Sequence, residues 1–105
     1  MTSRLDILKG RPIRNVIRHS DYLQLFLEQG VTLNIYNACS FVGFEEDDLD
    51  SLIGTVIQKI LEEYELIVLC FNTGREIHID LRNEAYNGPE AMQLDVPGEP
   101  TVVWN

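Results

Sequence analysis

Leu8-Lys-Gly-Arg-Pro-Ile-Arg-Asn-Val16 and Leu52-Ile-Gly-Thr-Val-Ile-Gln-Lys-Ile60 carry leucine, glycine, isoleucine and a β-branched residue at the same four places, 44 residues apart. The same offset carries Leu23, Leu25, Gly30, Leu33 and Ile35 onto Ile67, Leu69, Gly74, Ile77 and Ile79 without a gap. A period of this size marks a supersecondary unit used twice. Two copies are too few for a solenoid, so the expectation is a pair packed about a pseudo-two-fold axis.

One unit reads as three strands. Pro12 to Arg18 has Ile13, Val16 and Ile17 as its apolar positions, a spacing that slips off two and predicts a bulge. Tyr22 to Leu27 alternates Leu23, Leu25 and Leu27 against polar or aromatic partners, and Glu28-Gln-Gly30 supplies a turn with glycine where φ is positive. Val31 to Tyr36 returns with Leu33 and Ile35 inward. The second unit repeats this over Val56 to Leu61, Leu66 to Phe71 and Glu76 to Leu81.

A helix competes for residues 55–64, because Leu49, Leu52, Ile53, Val56, Ile57, Ile60, Leu61 and Tyr64 also fit a helical stripe behind an acidic first turn. Against it stand the gapless match to a stretch containing Pro12, and Gly54, which suits a helix stop better than an interior. The fold expected is therefore mainly β within one domain, 1–105. Two three-stranded antiparallel meanders, 8–37 and 52–81, pack as a sandwich or a partly open barrel. A short helical turn near 47–53 and a C-terminal strand pair in the closing segment 86–105 complete it.

Charge is divided unevenly. Residues 1–44 carry a balance of +2 and residues 45–105 one of −11, adding to the net −9 of the chain. Such a field repels phosphate backbones, which argues against direct nucleic-acid binding; it steers encounter with a basic protein or keeps the domain soluble. The chain has no apolar run of signal-peptide or membrane-span length, so a cytoplasmic protein without membrane contact is expected. Cys39 and Cys70 are not repeat equivalents, and two reduced thiols are expected rather than a disulfide.

Motifs for chemistry are scarce: there is no phosphate loop, nucleophile elbow, HExxH or metal-spaced Cys/His pair, so no metal or cofactor and no enzymatic activity is expected. The densest acidic run, Glu45, Glu46, Asp47, Asp48 and Asp50, lacks the alternation and mid-loop glycine of a calcium loop. It suits either a solvated helix start or, with Glu62, Glu63 and Glu65, a contact surface for a basic partner. The strand from Glu76 aligns His78, Asp80 and Arg82 in one polar row, which fits acid–base work or the wet face of a half-buried sheet. The aromatics Phe41, Phe44, Tyr86 and Trp104 are read as core closure where repeats and tail meet.

The pattern Leu8-x-Gly10-x-x-Ile13-x-x-Val16 with a hairpin at Gly30, its repeat from Leu52 with Gly74, and the ending Gly88-Pro-Glu-Ala91 and Val102-Val-Trp104 resembles small bacterial β-rich immunity proteins of polymorphic or contact-dependent growth-inhibition toxin systems. The resemblance implies a non-enzymatic inhibitor that binds its cognate toxin, a basic and in one version nuclease domain, and blocks it. It transfers no functional residue position by position. The alternatives are a homo-oligomeric scaffold, such as a homodimer paired through exposed strand edges, and a small-ligand or enzymatic domain using His78, Asp80 and Arg82.

Overall fold

The computed structural model describes residues 3–105. Among them nine strands form two antiparallel sheets, with no closed barrel, packed as a sandwich: β1 (Ile13–Arg18), β2 (Leu23–Leu27), β3 (Thr32–Ile35), β4 (Cys39–Val42), β5 (Ile57–Glu63), β6 (Leu66–Phe71), β7 (Glu76–Asp80), β8 (Met92–Asp95) and β9 (Val102–Trp104). Residues 57–63 are strand, and the turn before them is a 3-10 helix, Glu46–Leu52, stopped ahead of Gly54 at φ 89°. The helical stripe loses because β5 carries a bulge. Its register slips between Ile57 and Lys59, as that of β1 slips between Ile13 and Asn15, so the core-facing positions, Ile57 and Ile60 or Ile13 and Val16, fall three apart without a helix.

The two-fold relation is written in the backbone bonds. Gly10 N–H donates to the Ile57 carbonyl at 3.0 Å and Gly54 N–H to the Ile13 carbonyl at 2.8 Å, each bond the other's copy under the 44-residue shift. Between them Pro12 bridges Val56, its own repeat equivalent, which places that bridge on the axis. Proline is tolerated there because the crossing asks nothing of its missing N–H. A 3-10 turn, Arg4–Leu8, packs beside β5, as Glu46–Leu52 packs beside β1. Leu5 and Leu8 are buried like their equivalents Leu49 and Leu52, so the repeat begins earlier than residues 8 and 52.

The chain exchanges its fourth strands. One sheet runs β1-β2-β3-β8-β9 and the other β4-β7-β6-β5, so the strand after each meander completes the opposite sheet. Tyr36 N–H donates to the Ala91 carbonyl where Asp80 N–H donates to that of Ala38, which makes β4 and β8 equivalent at an offset of 53. The jump from 44 to 53 is a nine-residue insertion, Arg82 to Glu90. That insertion hides β4 from any comparison at fixed offset.

Inward residues of both sheets merge into one core, including Leu23, Leu25, Leu33 and Ile35 facing Ile67, Leu69, Ile77 and Ile79. Each such side chain contributes on the order of 2 kcal/mol through burial. Phe41, Phe44, Tyr86 and Trp104 pack against its margins, as their composition suggested. Asn37 is buried at the crossover from β3 to β4, where its Nδ2 donates to the Asp80 carbonyl at 2.8 Å and ties the two repeats together. Among the described residues no helix is long and apolar enough to cross a membrane.

Candidate functional site

The polar row forms as the alternation of β7 requires. His78 Nε2 lies 2.8 Å from Glu76 Oε1, and Arg82 closes a two-pronged grip on Asp80 with Nη2 2.7 Å and Nε 3.0 Å from its carboxylate oxygens. Hydrogen bonds from the Arg82 side chain and backbone N–H hold the Asp80 carboxyl below the usual carboxylate range. A carboxylate so held is a poor proton acceptor near neutrality. Ser40 stands opposite His78 across the β4–β7 ladder, but no hydrogen bond joins them and the Nε2 of His78 already faces Glu76. Within the row, Asp80 and Arg82 bind each other's charge.

With Ala38, Cys39, Ser40, Glu65 and Leu66 the row lines an open depression of about 400 Å³. Glu65 thus joins His78, Asp80 and Arg82. Glu45, Glu46 and Asp47 line a separate shallow depression at the start of the 3-10 turn that follows β4, and Asp48 and Asp50 are exposed along that turn. Glu62 and Glu63 end β5, the opposite edge strand, and three strand spacings put the two edges about 14 Å apart. The structure therefore parts the acidic groups rather than gathering them in a single patch: the run from Glu45 follows β4 and lies beside β1 of the other sheet, and Glu62 and Glu63 end β5.

Ion pairing separates these carboxylates. Glu46 takes Arg18 at 2.9 Å, whereas Glu45, Asp47, Asp48, Asp50, Glu62, Glu63 and Glu65 have no ion-pair partner among the described residues. No group of three His, Cys, Asp or Glu side chains among the described residues is arranged to hold a metal ion. Both cysteines are free, and burial pushes each thiol above its ordinary pKa, which keeps them protonated at neutral pH.

A third feature lies on the other sheet. His19 stacks on Tyr22 with ring centroids 4.3 Å apart, and Tyr22 meets Tyr36 at 5.4 Å. Tyr36 also lines a cleft of about 520 Å³ with Ser20, Asp21 and Asn87 to Glu90. Alternation within each strand sets Tyr22 and Tyr36 off from the inward leucines and Ile35 without joining them. The β2–β3 register, Leu23 opposite Ile35, puts Tyr22 opposite Tyr36, so the signal lay in pairing rather than in either strand. No family model, curated protein or solved structure matches the chain.

Proposed function

We propose that the protein is a non-enzymatic protein-binding inhibitor, an immunity protein that neutralises a cognate bacterial toxin, a basic nuclease domain, in the cytoplasm. The observation that carries this reading is the set of seven exposed carboxylates without an ion-pair partner among the described residues, in a chain whose second part holds a balance of −11. Unpaired surface charge of one sign contributes little to folding and speeds encounter with a partner of the other sign. A nuclease groove built to receive phosphates offers that opposite field. The Asp80–Arg82 ion pair ties up the carboxylate of the His78 row, which favours recognition over proton transfer.

The test is capture of the tagged protein's partner from its host lysate at low and high salt. A single basic protein, retained at low salt and released at high salt, is expected. Lysine at Glu45, Asp47 and Asp48 should slow its association by about 10-fold or more and flatten the salt dependence, since rim charges act mainly on the on-rate. Retention unaltered by the triple reversal would remove the acidic run from the interface.

A further inference from the structure

The internal symmetry compares two sheet margins that should be alike. In β8, Met92 and Leu94 pair with Trp104 and Val102 of β9 and are 0 % and 2 % exposed. Their equivalents in β4, Cys39 and Phe41, face the same core but remain partly exposed, and Val42 beside them is 46 % exposed. The difference is the neighbour, for β4 ends its sheet.

The backbone repeats the comparison. Asp80 N–H donates to the Ala38 carbonyl, so antiparallel alternation turns the N–H and C=O groups of Ser40 and Val42 toward β7 and those of Cys39 and Phe41 outward. Among the described residues no backbone or side-chain group outside the β4–β7 ladder bonds Cys39 or Phe41. Where Ala91 N–H donates to the Trp104 carbonyl of β9, Ala38 N–H donates to the Ala85 carbonyl of the insertion. The insertion seats one carbonyl at the head of this edge and then turns away, leaving the rest open.

Resting on the partner-binding reading above, we infer that the outer edge of β4 receives an extended segment of the basic partner as an added antiparallel strand, in the place that β9 holds beside β8. Strand addition takes affinity from main-chain bonds and specificity from alternate side chains. Charge selects this occupant over a second copy of the chain. One end of β4 leads into Glu45, Glu46, Asp47 and Asp48 against Arg18 and Arg75, still a net negative end, and at the other Glu65, Asp80 and Glu84 stand around Arg82. Antiparallel pairing of two copies would bring one acidic end against the other. A strand flanked by Lys or Arg at both ends meets opposite charge at both.

The sequence that seals β8 supplies the probe: the peptide Lys-Lys-Thr-Val-Val-Trp-Lys-Lys, with Glu-Glu-Thr-Val-Val-Trp-Glu-Glu as its control, is added to the isotope-labelled protein and amide exchange is followed by NMR. The basic peptide should slow exchange at Cys39 and Phe41 at least 10-fold, the acidic one should leave them unchanged, and Val42→Lys, at an exposed position, should weaken the basic peptide at least 5-fold. Unprotected Cys39 and Phe41 amides at saturating basic peptide, or protection by both peptides alike, would overturn the inference. Protection that rises with protein concentration alone would make a second copy the occupant, and overturn it too. Failure here leaves the acidic-surface reading to its own charge-reversal test, which alters no residue of β4.

Discussion

Asp80 sits two residues before Arg82 at the end of a strand, where an extended backbone brings i and i+2 to one face and a guanidinium can fold back on its neighbour. The pair is solvent-exposed, so its consequence lies in titration more than in stability. Because Arg82 lowers the folded-state pKa of Asp80, the associated stabilisation is present above the ordinary carboxylate range and is lost as pH falls through the depressed value. NMR titration of the Asp80 side chain should therefore show a midpoint below that of an unpaired aspartate, and Arg82→Ala should return it upward. Cys39 titrates with the opposite sign. Burial raises its thiol pKa, so the neutral form is favoured in the fold and that preference is lost as pH climbs through the raised value. Alkylation of Cys39 at neutral pH should run several-fold slower than that of the same thiol in urea.

At the scale of elements, the glycines that stop the two 3-10 turns are the positions where backbone conformation decides. Gly10 and Gly54 have φ of 77° and 89°, and a Cβ at either would meet nothing within 4 Å, so substitution costs conformational strain without a clash. Gly54→Ala and Gly10→Ala should each destabilise by about 1–2 kcal/mol, similar to one another, as read by urea denaturation. Their equality would be an energetic signature of the repeat. These glycines, with the alternating leucines of β2 and the matching Ile67 and Leu69 of β6, are also what make the meanders legible in the sequence. The bulges were legible as slipped spacing in β1, and the gapless match carried the same reading onto β5 against a credible helix. Strand β4 was not legible. Four residues, Cys-Ser-Phe-Val, carry a weak alternation, and the nine inserted residues break the offset that would have matched them to β8. Of the candidate site, the His78 row was readable from period-two alternation alone. The separation of Glu62 and Glu63 from the acidic run was not, since it depends on the 3-10 turn after β4 packing beside β1 of the other sheet.

For the whole molecule the asymmetry rests on β9. Removing residues 99–105 would leave Met92 and Leu94 in the condition of Cys39 and Phe41 and would uncover a second edge. Such a truncation should lower stability by about 2–4 kcal/mol, the range for losing large apolar contacts at the core margin, and should increase self-association in sedimentation. Both readouts matter, since loss of stability alone would report packing and a new oligomer would report the exposed edge.

The exchange of fourth strands has a meaning beyond packing. Neither half of this chain owns a complete sheet: residues up to Val42 supply three strands to one layer and lend the fourth to the other, and the second half returns the loan. A single copy of the unit, standing alone, could satisfy its inner face only by trading that strand with a twin, so its smallest folded form is an intertwined dimer. The present chain has the layout of such a dimer joined into one polypeptide by residues 43–56, which lead from β4 into β5. It follows that the two halves, produced as separate fragments, should each be unstructured alone and should restore the native spectrum when mixed.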